Sequence, residues 1–313
     1  MTHLNPIATK VVGRVVFKPE ATLHIGIGGW GVRREILKTS DRRLIIPAST
    51  WKGAFRQIGE KVAKTLSLQG LEKIAVDGYV ENEKGITYEI KDEAHEKFVK
   101  ALRGEGVFFG LTKSDITKLL LQLDYTQDEI EKIVKEDEEG KEQEEGLKKD
   151  AEKALGKEAL GKILTLYCPI TRLFGNTTIA GKLRFIDTIT PSTLHIKPGV
   201  GIDRRSGTAK EDQLYFLEAA SVDSNITLRF VADNIEPRKT DSILLGSILN
   251  YVEKLGLQIG ARKSTGMGDL TMVEAEFYLV ELSKDKEGKG LANPFKFGNK
   301  MDLKQFLAWL GTE

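Results

Sequence analysis

The stretch LIIPASTWKGAFRQIGEKVAKTL, residues 44–66, changes from a strand pattern to a helix pattern within a few positions. Its first three residues are apolar and partly β-branched, which indicates a strand, and Pro47 follows them. Ser49 or Thr50 is the predicted N-cap of the helix, because a hydroxyl there can accept a backbone N–H. The predicted buried stripe of the helix consists of Trp51, Ala54, Phe55, Ile58, Val62 and Leu66.

Two basic residues, Lys52 and Arg56, lie one turn apart close to this predicted helix start. Positive charge near a helix N-terminus is unfavourable against the helix dipole. An anion resting on the free N–H groups would offset that conflict. The pair is therefore either a solvated surface pair or part of a phosphate site, and the sequence leaves both interpretations open.

The segments around this joint predict an α+β fold. Strand patterns cover residues 11–25, 182–191, 224–233 and 270–280, and a helix pattern begins with Asp241 as its N-cap and ends at Gly256. Together with the helix of residues 44–66 the order is β, α, β, β, α, β. This is the ferredoxin-like arrangement, in which two helices cover one face of an antiparallel sheet and leave the other face open.

Residues 67–160 interrupt this order with mainly helical patterns, including ITYEIKDEAHEKFVKALRG at residues 86–104. The predicted domains are therefore a palm, residues 1–66 and 161–313, and a mainly helical insertion, residues 67–160. A segment near residues 195–214, with predicted turns at Pro198-Gly199 and Ser206-Gly207, forms an extended excursion from the palm.

The charge of the chain is unevenly distributed. Residues 127–158 contain 13 of the 46 acidic residues but only 7 of the 47 basic ones. The rest of the chain therefore has 40 basic and 33 acidic residues, although the formal net charge of the whole chain is only +1. A basic body is compatible with a polyanionic partner.

Cysteine and histidine usage predicts neither a metal site nor a cofactor. Cys168 is the single cysteine, and the four histidines have no ligand spacing. No apolar run approaches the length of a membrane span, and residues 1–10 have no apolar signal core. We therefore expect a cytoplasmic protein without a membrane partner.

Three further segments offer basic residues for an anion. GARKSTGMGD, residues 260–269, places Arg262 and Lys263 between glycines that would let backbone N–H groups approach a phosphate. Arg172 lies in CPITRLFGN, and Arg204 with Arg205 lies in GVGIDRRSGTA. Each segment is also compatible with an ordinary turn or surface loop.

Four segments occur together and in order: IPASTWKGAFR, CPITRLFG, GVGIDRRSGTAKEDQLYFLE and GARKSTGMGDL. As an ordered set they resemble the RAMP superfamily of CRISPR-associated proteins, and most closely the backbone subunits of type III effector complexes. The resemblance covers most of the chain outside residues 67–160. It implies an RRM-related, ferredoxin-like palm and a thumb-like hairpin near residues 195–214 that kinks a guide RNA.

The resemblance also implies a set of RNA-binding residues. They are Gly26, Arg33, Arg34, Ser49, Lys52, Arg56, Arg172, Arg204, Arg205, Gly260, Arg262, Lys263, Ser264 and Gly266. The implied partners are CRISPR guide RNA, complementary target RNA and other RAMP subunits of an antiviral complex.

The chain departs from the family pattern where target-cleaving members carry an aspartate. The corresponding stretch is GGWGVRREILK, and Arg33 or Arg34 stands at the expected position. Asp41 is the nearest carboxylate and the one candidate catalytic residue. The sequence therefore favours a non-catalytic guide-RNA-binding subunit. A metal-assisted target-RNA endonuclease, or a protein that binds a small phosphorylated ligand, remains an alternative.

Overall fold

The structure, a computed structural model, describes residues 6–28, 33–68, 70, 75–82, 85–135, 146–176, 179–285 and 287–312. The palm unit comprises the described residues up to Leu66 and from Lys182 onward. The helical unit comprises the described residues from Ser67 to Gly181. The predicted domain boundaries, after residue 66 and after residue 160, stay a prediction. The two compact units of the structure divide after residue 66 and after residue 181.

The elements follow one another along the chain in three groups. The first group is β1 (Thr9–Pro19), β2 (Arg33–Arg34), β3 (Leu44–Ile46) and α1 (Ala48–Thr65). The helical unit contains β4 (Val76–Asn82), β5 (Gly85–Ile90), α2 (Asp92–Arg103), α3 (Lys113–Gln122), α4 (Gln127–Lys135), α5 (Gly146–Tyr167) and α6 (Pro169–Phe174). The last group is β6 (Leu183–Phe185), β7 (Thr188–Thr190), β8 (Thr193–Ile202), β9 (Ala209–Ser221), β10 (Ile226–Asp233), α7 (Thr240–Leu255), β11 (Leu257–Gln258), β12 (Asp269–Glu281), α8 (Lys289–Ala292), α9 (Pro294–Phe297), β13 (Asn299–Asp302) and α10 (Leu303–Leu310).

The main sheet of the palm unit has the strand order β11-β12-β1-β10-β6, and β13 pairs with β12. All of these pairings are antiparallel. Along the chain, the strands that flank α1 and α7 are β1, β6, β10 and β12. In the sheet they lie in the order β12-β1-β10-β6, so the first and third of them are central and the second and fourth lie on either side. This topology confirms the predicted α+β, ferredoxin-like fold.

Aromatic side chains fill the space between the sheet and its helices. Phe17 of β1 stacks on Trp51 of α1 with ring centroids 5.7 Å apart. Phe277 of β12 stacks on Phe306 of α10 at 4.1 Å. All four rings are fully buried. Burial of such large apolar side chains is the main force that holds the helices on the sheet.

The buried stripe of α1 differs in part from the predicted one. Trp51, Ala54 and Phe55 are buried as predicted. Further along the helix the buried residues are Gly59 and Ala63, whereas the predicted Leu66 is 53% exposed. Small residues there allow close packing of the helix, which periodicity of large apolar residues does not reveal.

The start of α1 corrects the predicted N-cap. The helix begins at Ala48 and its N-cap position is Pro47, so neither Ser49 nor Thr50 caps it. Instead, the carboxylate of Asp187 accepts the backbone N–H of Ala48 at 2.7 Å. The cap is therefore tertiary, because it comes from a residue 139 positions away in the chain.

Other predicted boundaries also change. Strand β1 ends at Pro19 rather than near Ile25, because the chain leaves the sheet there. The segment ITYEI, predicted as helical, lies entirely within β5, which pairs with β4. The predicted N-cap Asp241 lies inside α7, where it is fully buried and pairs with Lys182 at 2.7 Å. The predicted end of this helix at Gly256 is confirmed.

Strands β8 and β9 form a long hairpin. The predicted turn at Pro198-Gly199 is wrong, since β8 runs through both residues and Gly199 pairs with Tyr215. The chain reverses around residues 203–208, where Gly207 has a φ of +71°, so the predicted turn at Ser206-Gly207 is confirmed. This hairpin is the thumb-like element of the predicted fold.

The helical unit has its own core. Helices α2 to α5 contribute fully buried residues that include Phe98, Ile116, Ile133 and Ile163. Part of the acidic stretch 127–158 belongs to this core, because α4 buries Ile130 and Ile133. Residues 136–145 of that stretch lie outside the described residues.

Candidate nucleic-acid interface

The glycine-rich loop, residues 260–268, lies against the segment that follows β1. Ala261 donates its N–H to the carbonyl of His24 at 2.9 Å, and Gly268 donates its N–H to the carbonyl of Thr22 at 3.0 Å. A Cβ atom at Gly260 would lie 2.4 Å from the carbonyl oxygen of His24, so this approach requires glycine. On its other side the segment pairs with β9, where Leu23 donates to Ala220 at 2.8 Å.

The backbone of the glycine-rich loop is shaped for an anion. Four of its nine residues have positive φ: Gly260, Arg262, Gly266 and Gly268. Within the part of the chain that the structure describes, the N–H groups of residues 262–264 donate to no acceptor. Successive free N–H groups in such a loop form a concave site for negative charge.

Tyr215 of β9 links this loop to the middle of the hairpin. The guanidinium carbon of Arg262 lies 5.0 Å from the centroid of the Tyr215 ring, and that of Arg34 lies 5.8 Å from it. Tyr215 also packs against a small buried cluster of Leu217, Ala219 and Met267. Sequence reasoning missed Tyr215, because only the pairing of β9 with β2 and its packing on the loop bring the two arginines to it.

Lys263 extends the site toward α1. Its ammonium group donates to the side-chain oxygen of Gln57 at 3.2 Å. Partial burial, followed by the nearby charge of Lys61, lowers the pKa of Lys263. Among the described residues neither of these two ammonium groups pairs with a carboxylate, and two such groups near each other favour an anionic ligand. Lys61 was also missed by sequence reasoning, since it lies beyond the motif that suggested the site.

Lys52 and Arg56 are less closely tied to the helix start than predicted. Because α1 begins at Ala48, Lys52 lies in its second turn and Arg56 in its third. The dipole effect fades beyond the first turn, and Asp187 already supplies a negative charge there. Arg56 forms an i,i+4 ion pair with Glu60 at 2.9 Å, as expected for a surface pair.

The buried carboxylate of Glu218 holds the predicted residue Arg33 near the hairpin. It accepts the N–H of Ile36 at 3.1 Å and pairs with Lys38 at 2.8 Å, and Arg33 lies 3.8 Å away. Burial acts to raise the pKa of Glu218, but the hydrogen bonds from Lys38 and Ile36 and the nearby charges outweigh burial. The net pKa is lowered, so the side chain is ionised at neutral pH. It anchors the short strand β2 on β9.

Two predicted residues of the palm unit, Arg204 and Arg205, lie apart from the loop. Arg204 and Arg205 are exposed in the hairpin turn, where the carboxylate of Asp203 accepts the N–H of Arg205 at 2.8 Å. At about 3.3 Å per strand residue, the turn lies on the order of 15 Å beyond Gly199. Arg172 belongs to α6 of the helical unit.

The remaining predicted residues flank the segment between β1 and β3. Gly26 bridges to Ile36 and follows His24, whose Nδ1–H donates to the carbonyl of Glu218 at 2.7 Å. Residues 29–32 of the predicted loop at 26–34 lie outside the described residues. Ser264 and Gly266 lie in the glycine-rich loop, and Ser49 lies in the first turn of α1.

Asp41, the candidate catalytic carboxylate, is engaged within its own turn. It accepts a hydrogen bond from the hydroxyl of Thr39 and pairs with Arg43 at 2.8 Å. The bond from Thr39 contributes most to lowering the pKa of Asp41, and Arg43 lowers it further. A general base works best with a pKa near the operating pH, so this environment makes Asp41 a weaker base.

The open face of the sheet carries cross-strand ion pairs. Asp233 pairs with Lys10 at 2.9 Å and also with Arg184. Glu276 pairs with Lys300 at 2.7 Å and approaches Arg14 at 3.6 Å. The charges on this face are therefore largely matched, in contrast with those around the glycine-rich loop.

Within the described ranges there is no cluster of three metal-ligating side chains. None of the helices there is both long and apolar enough to cross a membrane.

The sheet topology defines a ferredoxin-like protein, and Arg34, Lys61, Arg262 and Lys263 are the candidate anion-binding side chains around its glycine-rich loop. The chain belongs to the RAMP superfamily, whose family model matches residues 18–271. No curated protein matches the chain. Membership in this superfamily implies a CRISPR-associated, RNA-binding role in general terms. The matched range ends within β12, so most of that strand and the elements after it lie outside the match.

Proposed function

We propose that this chain is a guide-RNA-binding backbone subunit of a type III CRISPR antiviral effector complex in the cytoplasm. The supporting observation is the convergence of four cations: Arg34 and Arg262 on one tyrosine ring, and Lys263 and Lys61 between the loop and α1. In the described part of the chain none of the four pairs with a carboxylate. Cations held together without acids are the footprint of a polyanion site.

The proposed partners are guide RNA, complementary target RNA and other RAMP subunits. The RNA backbone would follow the glycine-rich loop, where phosphates can accept the N–H groups of residues 262–264. The hairpin of β8 and β9 would act as the thumb. Arg204 and Arg205 at its exposed turn are placed to contact phosphates farther along the strand.

The proposed role is to hold RNA without cutting it. Arg33 and Arg34 occupy the position where the resemblance leads one to expect an aspartate, and both are exposed. An arginine can bind a phosphate but cannot accept a proton readily, since its pKa lies above about 12. The low pKa of Asp41 further supports this proposal.

A small phosphorylated ligand is a second candidate. The free N–H groups of residues 262–264 and the nearby Arg262 would suffice for one phosphate group. RNA is favoured because the cations extend from Arg34 to Lys61, farther than a single phosphate requires.

The experiment is a titration of the purified chain with single-stranded RNA of mixed sequence over a series of salt concentrations. Arg262→Ala and Lys263→Ala are each expected to make the slope of log affinity against log salt shallower by about 0.7, the value for one lost contact on a single strand. Arg229→Ala is the matched control, because Arg229 is exposed on β10 and its position in the strand register places it on the open face of the sheet, with Arg14.

Unchanged slopes in both variants would contradict the proposal. Purification from the native host with sequencing of any bound RNA distinguishes the candidates. Small RNAs of regular length support the proposed role, whereas a bound nucleotide supports the second candidate.

A further inference from the structure

Tyr215 lies where three elements meet: the middle of the β8–β9 hairpin, strand β2 and the glycine-rich loop. Its ring lies directly against Gly199 of the opposite strand, and a Cβ atom at Gly199 would come within 2.3 Å of the ring. The ring also packs against the buried cluster of Leu217, Ala219 and Met267, the last of which belongs to the glycine-rich loop. The ring is therefore held in one place from two sides.

Two guanidinium groups lie near this single ring, Arg262 at 5.0 Å and Arg34 at 5.8 Å from the centroid. Both distances are within the range of a cation–π interaction, which orients a guanidinium over the ring. Two like charges near one ring also repel each other. In the described residues neither arginine has a carboxylate partner that would reduce this repulsion.

We propose that Tyr215 is a positioning residue that holds Arg34 and Arg262 so that both guanidinium groups bind one and the same backbone phosphate of the RNA. The inference rests on the proposed function, and it adds how the site is organised. Arginine matches a phosphate with a planar fork of donors, and a ring beneath it reduces the conformational freedom lost on binding. A shared phosphate would also neutralise the repulsion between the two arginines.

This arrangement requires the ring and not the hydroxyl. In the described part of the chain the Tyr215 hydroxyl forms no hydrogen bond. Tyr215→Phe keeps the aromatic face and is expected to retain both the affinity and the salt slope. Tyr215→Leu keeps apolar packing on the cluster of Leu217, Ala219 and Met267 but removes the aromatic face. It is expected to weaken RNA binding roughly tenfold, the effect of losing one charge-assisted contact.

The test measures the affinity of a labelled, unstructured single-stranded RNA over a salt series. We expect Arg34→Ala, Arg262→Ala and Tyr215→Leu each to reduce the slope by about 0.7. The shared phosphate would be held only while both arginines are in place, so either single variant releases it, and the double variant of Arg34 and Arg262 should also lower the slope by only about 0.7.

A double variant whose slope of log affinity against log salt falls by about 1.4 would overturn the inference, since the arginines would then bind separate phosphates. Equal behaviour of Tyr215→Phe and Tyr215→Leu would overturn the positioning role. The arginine variants alter exposed or half-buried side chains, so the test of additivity does not depend on Tyr215→Leu remaining folded. A wild-type chain that does not bind RNA would instead contradict the proposed function itself.

Discussion

Removal of the buried Glu218 carboxylate is expected to loosen the strand that presents Arg34. Glu218 is 4% exposed, and it accepts hydrogen bonds from the N–H of Ile36 and from Lys38. Glu218→Ala leaves both donors without their acceptor, a change that costs about 3–5 kcal/mol for a fully buried ion pair. Lys38 is 27% exposed and can regain water, so we expect about 3 kcal/mol.

Glu218→Gln separates the charge from the hydrogen bond. Its amide oxygen can still accept the Ile36 N–H, but the charge-assisted bond to Lys38 is lost. We expect a cost of about 1.5 kcal/mol. A change of 1 kcal/mol shifts the melting temperature by about 2–4 °C for a unit of this size, so the shifts are roughly 3–6 °C for the Gln variant and 6–12 °C for the Ala variant.

The assay combines thermal unfolding with hydrogen exchange of the Ile36 amide, which reports local opening of the segment near β2. Glu274→Gln is the matched control, because this carboxylate is 53% exposed and lies 3.5 Å from Arg14. Exposed ion pairs contribute little to stability, and we expect this variant to change the free energy of unfolding by less than about 0.5 kcal/mol. If Glu218→Ala changed neither the melting temperature nor the exchange more than the control, the reasoning would be refuted.

The pH dependence gives an independent check. The pKa of Glu218 is lowered from its ordinary value of 4.5 in the folded protein. A carboxylate of this kind contributes stability that is fully present above its unfolded pKa and is lost as pH falls through the folded pKa. Unfolding free energy should therefore fall below about pH 4.5 in the wild type, and this component of the fall should be absent in Glu218→Gln.

Three further predictions concern single side chains. Asp187→Ala removes the acceptor for the first N–H of α1 and should cost about 0.5–2 kcal/mol in chemical unfolding, whereas no change would show that water replaces it. Gly260→Ala should abolish the close approach to His24 and reduce RNA affinity. Gly53→Ala, in open space on α1, should stabilise the protein by about 0.5–1 kcal/mol. An unchanged RNA affinity in Gly260→Ala, or a loss of stability in Gly53→Ala, would contradict the geometry. In an assembled complex with guide, target and divalent metal, Asp41→Ala should leave any cleavage pattern unchanged, and a cut at this subunit that disappears in the variant would support the endonuclease alternative.

The sequence alone determined the features that depend on neighbouring residues. The periodicity of Trp51, Ala54 and Phe55 predicted α1, and the strand patterns around it predicted a ferredoxin-like order that the sheet topology confirms. The glycines of residues 260–268 predicted a loop at this position, and Gly260, Gly266 and Gly268 have positive φ there. These signals are local, because a helix face, a strand pattern and a positive φ are each properties of a few consecutive residues.

Only the tertiary structure decided how the site is assembled. Asp187 caps α1 from 139 residues away, and Tyr215 meets Arg34 and Arg262 only because β9 pairs with β2 and packs on the loop. Lys61 joins Lys263 only through the packing of the loop against α1. Contacts of this kind depend on strand register and on which surfaces are buried together, and neither leaves a pattern within a short stretch of sequence.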